Sequence, residues 1–227
     1  MKIGILQTGL VPEELAKTHG EYPGMFMRLL GGHGFDFETW SVVQDEFPDG
    51  PEAADGWLIT GSRFGAYEDH PWIKRLEQLI RDILAADRPL VGICFGHQIM
   101  AQALGGRVEK FSGGWAIGPQ TYAFPEGPRT VQAWHQDQVV EAPSGAETVA
   151  SNDFCRHAAL LYPGKAYSVQ PHPEIEAPYA LGLVEVRGPG LIPEDQLDEA
   201  RANIDAPLQS ADLANQFARF FRERRIS

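Results

Sequence analysis

Cysteine is scarce in this chain, and long apolar runs are missing. Only two cysteines, Cys94 and Cys155, occur among 227 residues. Two are too few for a disulfide framework, so we expect a reducing, cytoplasmic setting. No apolar run approaches the roughly 20 residues of a membrane span. The N-terminus also lacks the basic region and apolar core of a signal peptide, so neither secretion nor membrane insertion is expected.

Basic residues are also in short supply. The chain has 19 Lys and Arg against 31 Asp and Glu, which gives a net charge of −12. Such an acidic chain is a poor candidate for binding nucleic acid or an anionic membrane. There is no internal repeat or linker, so we expect one domain over residues 1–227, with 193–227 as a C-terminal helical tail. The oligomeric state is left open.

Short apolar strands alternate with amphipathic helices up to residue 104. This order predicts a parallel, doubly wound sheet. A polar loop is expected between the first strand and the first helix. The predicted strands cover residues 2–7, 36–43, 56–60 and 90–93, and the predicted helices cover 22–30, 70–86 and 98–104.

The pattern changes after residue 106, where Gly and Pro turns separate short strand candidates. We interpret these as antiparallel strands added to the sheet. Helices are expected again near the C-terminus. The strand candidates are 107–110, 119–124, 130–134, 146–150, 159–162 and 166–170, and the helices are 176–186, 193–203 and 208–225.

The turn around Cys94 carries the strongest functional signal. An apolar run typical of a buried strand (90–93) precedes it, and a run of helix formers (98–104) follows. Gly92 and Gly96 flank the cysteine, as a tight strand-to-helix turn without room for a Cβ would require. A thiol at a helix N-terminus is favoured as the reactive thiolate. Taken alone, the pattern also fits a buried structural cysteine.

A histidine and a glutamate follow the last predicted strand. His172 and Glu174 are two residues apart, so in an extended segment their side chains point to the same side. A cysteine nucleophile needs a histidine base whose second ring nitrogen is held by a carboxylate. The alternative interpretation is a surface His-Pro-Glu turn.

Two loops could complete a site. Thr60-Gly61-Ser62 follows a strand, and its backbone N–H groups, with that of Phe95, could hold a developing oxyanion. An ordinary glycine turn is the competing interpretation. Residues 134–139 are either a polar loop between strands or a wall of a substrate pocket.

A metal site is not expected. Cys94 and His97 lie three residues apart across a sharp turn, and Cys155 and His157 lack a partner pair at ligand spacing.

Four motifs in this order resemble a class I glutamine amidotransferase domain with a Cys-His-Glu triad. The resemblance covers about residues 2–185. It implies a flavodoxin-like α/β fold, a three-layer αβα sandwich with a mostly parallel central sheet and added antiparallel strands. The motifs are Ile-Thr-Gly-Ser (59–62), Gly-Ile-Cys-Phe-Gly-His-Gln (92–98), Trp-His-Gln-Asp-Gln-Val (134–139) and Gln-Pro-His-Pro-Glu (170–174).

The resemblance also implies roles for single residues. Cys94 is the nucleophile, His172 the base and Glu174 the group that orients it, while Gly61 and Phe95 supply the oxyanion hole. No cofactor is implied. The residues expected to contact the substrate are Ser62, Gln98, His135 and Asp137.

Two departures from the family pattern bear on these expectations. Many members carry Gly-Gly-Pro in the oxyanion loop, whereas this chain keeps only the second glycine, Gly61. Amidotransferases deliver ammonia to a synthase, often as a fused domain, and no synthase domain is visible here. Residues 47–49 and 66–69 also resemble stand-alone γ-glutamyl peptidases of the same superfamily.

The sequence therefore supports hydrolysis of a γ-glutamyl amide through a cysteine thioester, in two versions. In one, glutamine is the substrate and ammonia passes to a partner synthase. In the other, a free-standing hydrolase acts on γ-glutamyl conjugates. A non-catalytic binding protein of the same fold, and a redox sensor that uses Cys94 with Cys155, are the remaining alternatives.

Overall fold

Eleven strands and seven helices make up the protein in a computed structural model that describes residues 1–227. The strands are β1 (Lys2–Leu6), β2 (Asp36–Trp40), β3 (Gly56–Ile59), β4 (Leu90–Ile93), β5 (Arg107–Lys110), β6 (Ala116–Phe124), β7 (Gly127–His135), β8 (Asp137–Glu141), β9 (Glu147–Ala150), β10 (Ala159–Tyr162) and β11 (Ala166–Val169). The helices are α1 (Glu13–His19), α2 (Tyr22–Leu29), α3 (Pro71–Ala85), α4 (Phe95–Ala103), α5 (Ala177–Arg187), α6 (Glu194–Ala202) and α7 (Ser210–Glu223). Short 3-10 helices cover Val42–Gln44 and Pro51–Ala53.

Seven strands form the central sheet, in the order β2-β1-β3-β4-β11-β10-β9. The first five are parallel, and β10 and β9 extend the sheet in antiparallel pairing. The predicted mixed, mostly parallel sheet with helices is therefore confirmed. The antiparallel strands divide differently from the expectation, because β5 with β8 and β6 with β7 form separate two-stranded sheets.

Helices cover both faces of the sheet, because successive strand residues point to opposite sides. Leu58 and Val91 face a core that includes Phe217 and Phe220 of α7. Trp57, Ile59 and Leu90 face the other core, formed with α3 and α4. The last helix of the predicted C-terminal tail is thus part of the main core. No helix is both long and apolar enough to cross a membrane.

Two local predictions were wrong, and the loop interpretation of a third segment, 134–139, was excluded. The predicted polar loop before the second helix contains α1, whose single buried residue, Leu15, gives almost no apolar pattern. The candidate loop at 134–139 contains the end of β7 and the start of β8. The second strand ends at Trp40 rather than at residue 43, since a 3-10 helix follows it.

The parallel order brings the predicted site loops to one edge. Strands β1, β3, β4 and β11 are neighbours, and their carboxyl ends lead into Thr8, Thr60, Cys94 and Gln170, respectively. Ligands of open α/β sheets bind at this edge. The fold therefore gathers four loops that are far apart in the sequence.

The turn after β4 tolerates no side chain at Gly96, because a Cβ there would lie 2.4 Å from the backbone oxygen of Ile59. We expect Gly96→Ala to lower the free energy of unfolding by about 1–3 kcal/mol. Gly24→Ala in α2 is the matched control, since its Cβ would meet only the tip of Arg28, at 3.7 Å. The control should be neutral or stabilising by up to about 1 kcal/mol. Urea unfolding of both variants tests this, and equal stabilities would contradict it.

Candidate active site

Cys94 occupies a strained turn between β4 and α4. Its backbone has φ 52° and ψ −103°, which is uncommon for a residue with a side chain. Two hydrogen bonds hold the turn: Cys94 N–H donates to Val169 O at 2.9 Å, and Gly96 N–H donates to Thr60 O at 3.2 Å. Strain of this kind persists where the surroundings enforce it, and functional sites are a common location.

His172 lies beside this turn and is held by Glu174. Both side chains are buried, and His172 Nδ1 is 2.7 Å from Glu174 Oε1. The His172 backbone N–H donates to Gln132 O at 2.8 Å, which fixes the segment against β7. The ring lies beside Cys94, since a Cβ placed on Gly61 would lie within 4 Å of both side chains. The structure thus brings Cys94, His172 and Glu174 together in one chain of contacts.

The electrostatics of the histidine follow from these contacts. Burial opposes a charge on His172, but the Glu174 carboxylate and the Cys94 thiol outweigh it and hold the pKa of His172 well above its ordinary value. Burial and the neighbouring His172 lower the pKa of His135 to about 3. His172 is therefore favoured in its protonated form, which can donate a proton, while His135 is favoured in its neutral form.

Gly61 packs directly on the Cys94–His172 pair. A Cβ on Gly61 would lie 2.9 Å from His172 Cε1 and 3.7 Å from Cys94 Cβ. The N–H groups of Gly61 and Phe95 donate no hydrogen bond to another part of the chain. Two free backbone donors beside a thiol are what an oxyanion requires.

Thr8 orients the peptide that carries the Gly61 N–H. Its hydroxyl, fully buried after β1, donates to Thr60 O at 2.9 Å, and its N–H donates to Thr60 Oγ1 at 3.0 Å. The Gly96 N–H also reaches Thr60 O. Because the C=O and N–H of a trans peptide point in opposite directions, holding Thr60 O aims the Gly61 N–H away from Thr8. Thr8 was not among the predicted site residues, although its position after a strand next to β3 was a usable signal.

Two of the predicted substrate-contact residues, Gln98 and Asp137, are joined by a hydrogen bond. The buried Gln98 donates through Nε2 to Asp137 O at 2.9 Å and to Gln170 Oε1 at 3.1 Å. Tyr67 lies near the Asp137 carboxylate, since a Cβ placed on Gly65 would lie 2.7 Å from Tyr67 Cζ and 3.1 Å from Asp137 Oδ2. Burial raises the pKa of Asp137, while burial and the Asp137 charge raise the pKa of Tyr67 to about 12. Tyr67 was not predicted as a site residue.

The other two contact residues take different positions. His135 is buried at the end of β7, with Nδ1 3.3 Å from Asp137 O and Nε2 without a partner. Ser62 lines a cavity of about 480 Å³ that also exposes His172. Gln98, His135 and Asp137 are not among the residues that line this cavity. No group of three or more His, Cys, Asp or Glu side chains is arranged to hold a metal ion.

Comparison with solved structures supports the fold. A glutamine amidotransferase from Thermotoga maritima has a TM-score of 0.70, with 97% of this chain and 94% of that chain covered, at 24% identity. The overall fold is therefore the flavodoxin-like α/β fold of glutamine amidotransferases.

Sequence comparison defines the family more closely. The family "Glutamine amidotransferase class-I" matches residues 39–178. The chain is 39% identical to a glutamine-hydrolyzing GMP synthase subunit of Archaeoglobus fulgidus over 70% of this chain and 86% of that protein. It is 29% identical to gamma-glutamyl peptidase 4 of Arabidopsis thaliana over 83% of this chain and 82% of that protein. The chain belongs to the class-I glutamine amidotransferase family.

Proposed function

We propose that this protein hydrolyses a γ-glutamyl amide bond with Cys94 as the nucleophile. The observation that carries the proposal is the 2.7 Å contact between His172 Nδ1 and Glu174 Oε1, in a histidine whose ring lies beside the Cys94 side chain. This arrangement supports a nucleophile with an oriented acid–base partner. Membership of the class-I amidotransferase family supports the γ-glutamyl substrate.

The reaction begins when Cys94 Sγ, its proton held by His172, attacks the γ-carbonyl carbon. The C–S bond forms while the carbonyl π electrons move to oxygen, and the N–H groups of Gly61 and Phe95 stabilise the resulting oxyanion. The oxyanion then collapses and the C–N bond breaks. The leaving amine takes the proton from His172, which leaves a γ-glutamyl thioester on Cys94.

Water completes the cycle. His172 takes a proton from the water as its oxygen attacks the thioester carbonyl, and the second tetrahedral intermediate expels Cys94 Sγ. Glutamate is released, and the proton stays on His172 beside the sulfur. Glu174 keeps the imidazole in one tautomer and compensates its positive charge during both halves of the reaction.

A glutamate-release screen tests this proposal. The purified protein is incubated with glutamine, γ-glutamyl dipeptides and an α-linked dipeptide control, and free glutamate is measured enzymatically. We expect release from at least one γ-glutamyl compound and none from the α-linked control. The absence of release from every γ-glutamyl compound would refute the proposal.

A second candidate is a glutaminase that supplies ammonia to a synthase partner. The 39% identity to a GMP synthase subunit favours it. In this case glutamine is the substrate that is turned over, and turnover depends on an added partner protein. Measuring glutamine hydrolysis with and without candidate partners separates the two functions.

Thr8→Val is expected to lower kcat by about 10- to 100-fold with little change in KM. The substitution keeps the shape of the side chain but removes the hydroxyl donor to Thr60 O, so the Gly61 N–H loses its fixed direction. Loss of a whole oxyanion donor costs about 100- to 1000-fold, and a misdirected donor should cost less. Thr8→Ser keeps the hydroxyl and should stay within about threefold of the native rate. A higher KM at unchanged kcat would contradict this role.

A further inference from the structure

A cavity of about 480 Å³ borders the proposed catalytic site on the His172 side. His172 forms part of its wall, whereas Cys94 does not and is only 5% exposed. Gln98 and Asp137 are also absent from this wall. The histidine thus separates the thiol from the cavity. Since His172 protonates the leaving amine in the proposed reaction, the amine side of the substrate lies toward the cavity.

The cavity is much larger than ammonia requires. A water-sized molecule occupies about 30 Å³ of liquid, and cavities that bind small organic ligands measure about 300–1,000 Å³. Half of the 16 lining residues are hydrophobic, and they come from several elements. These residues are Leu10, Val11, Tyr22, Val43, Phe64, Trp134, Ile175 and Leu183. The wall therefore suits an amine with an apolar body.

Two arginines give the cavity a polar end. Arg63 and Arg187 both line it, and neither forms an ion pair within 4.0 Å. The Arg63 guanidinium lies 5.0 Å from the centroid of the Phe64 ring, which also lines the cavity. By contrast, Arg201, outside the cavity, contacts three carboxylates. In a chain of net charge −12, two guanidinium groups that form no ion pair on one cavity favour an anionic ligand group.

Two acidic residues, Glu13 and Glu14, also reach the cavity lining. They lie in the exposed first turn of α1, where the positive end of the helix dipole favours acidic side chains. Their position at a helix start accounts for them without a ligand. Arg187 has a comparable place in the last turn of α5, but neither arginine forms an ion pair with a carboxylate.

We infer that this cavity binds the leaving amine of the substrate, and that this amine carries an apolar group and a carboxylate recognised by Arg187 and Arg63. The inference rests on the proposed γ-glutamyl hydrolysis and specifies the leaving group of its substrate. The substrate is a γ-glutamyl peptide with a free C-terminal carboxylate and a large apolar side chain. Because glutamine releases only ammonia, it leaves the cavity empty and makes none of these contacts.

The test compares three probe substrates with the native protein. They are γ-glutamylphenylalanine, the same dipeptide with a C-terminal amide, and glutamine. We expect kcat/KM for γ-glutamylphenylalanine to exceed that for glutamine by at least about tenfold, because the phenyl group and the carboxylate both find contacts. A preference for glutamine would overturn the inference. It would favour the second candidate function, a glutaminase that supplies ammonia to a synthase partner.

The arginines are tested as charge-removing variants. Arg187→Gln and Arg63→Gln, singly and together, should lower kcat/KM for γ-glutamylphenylalanine, by about tenfold in the double variant. The loss should be several-fold smaller for the amide-terminated dipeptide, since it has no carboxylate to lose. Arg156→Gln is the matched control: Arg156 is exposed, outside the cavity lining, and should leave all three rates unchanged.

Equal losses for the carboxylate and amide substrates would overturn the inference while leaving γ-glutamyl hydrolysis intact. Failure of the native protein to release glutamate from any of the three probes would overturn the proposed function and the inference with it. The rate of Cys94 labelling by a glutamine-like electrophile shows that each variant keeps a formed site, so a folding defect is distinguished from lost recognition.

Discussion

Cys94→Ala is expected to abolish glutamate release, with kcat falling by at least about 10⁴-fold. The thiol forms the covalent bond to the γ-carbonyl carbon, and no other side chain can take its place. The oxyanion donors and His172 remain, so a small residual rate above that in water is expected. Glutamate release under single-turnover conditions measures the loss. Retention of more than a few per cent of native activity would exclude Cys94 as the nucleophile.

Cys155→Ala is the matched control for the thiol. Cys155 is buried, and burial raises the pKa of its thiol to about 12, so it stays protonated and unreactive. A glutamine-like electrophile should label the native protein and Cys155→Ala once per chain. Cys94→Ala should remain unlabelled. Labelling that survives in Cys94→Ala but disappears in Cys155→Ala would show that Cys155, not Cys94, is the reactive thiol.

Glu174→Gln is expected to lower kcat by about 10³- to 10⁴-fold with little change in KM. An amide in place of the carboxylate neither compensates the imidazolium nor enforces the tautomer needed at Nδ1, and this loss in a related triad is about 10⁴-fold. Glu176→Gln, two residues later and exposed at the start of α5, is the control and should be nearly silent. A loss of less than tenfold in Glu174→Gln would rule out an orienting role for Glu174.

Glu174→Gln is also expected to change the pH dependence of kcat/KM. The Glu174 carboxylate helps to hold the pKa of His172 above its ordinary value, while burial acts in the opposite direction. Without the carboxylate, the pKa of His172 falls, and the imidazole loses its proton at a lower pH. The alkaline limb of kcat/KM should therefore move to lower pH in Glu174→Gln. If the alkaline limb does not move, the pKa that it reports belongs to a group other than His172.

Local patterns in the sequence were sufficient to predict the strands and helices that pack on both sides. The apolar runs of β3, β4 and β11 are fully buried in the sheet, and α3 and α7 show the apolar spacing of helices that cover it. Such elements are readable because burial forces their side chains to repeat with the period of the backbone. The fold class was confirmed on this basis.

Elements with few buried residues escaped prediction for the same reason. Helix α1 buries only Leu15, so its sequence resembles a polar loop. Strand β8 pairs with β5 outside the central sheet, and its residues carry no long apolar run. Strand pairing depends on partners distant in the chain, which a local pattern does not contain.

Part of the candidate site could likewise be predicted from local sequence patterns, and part of it could not. The sequence by itself determined the kinds of chemical group, because Gly92 and Gly96 around Cys94 and the spacing of His172 and Glu174 are local requirements of a turn and an extended segment. Only the tertiary structure showed that Thr8 contacts the Thr60–Gly61 segment and which residues line the cavity beside His172. Both depend on which strands are neighbours and on how side chains from distant segments share one buried space. The sequence thus predicts the catalytic groups, whereas the proposed selection among leaving amines depends on the packing around His172.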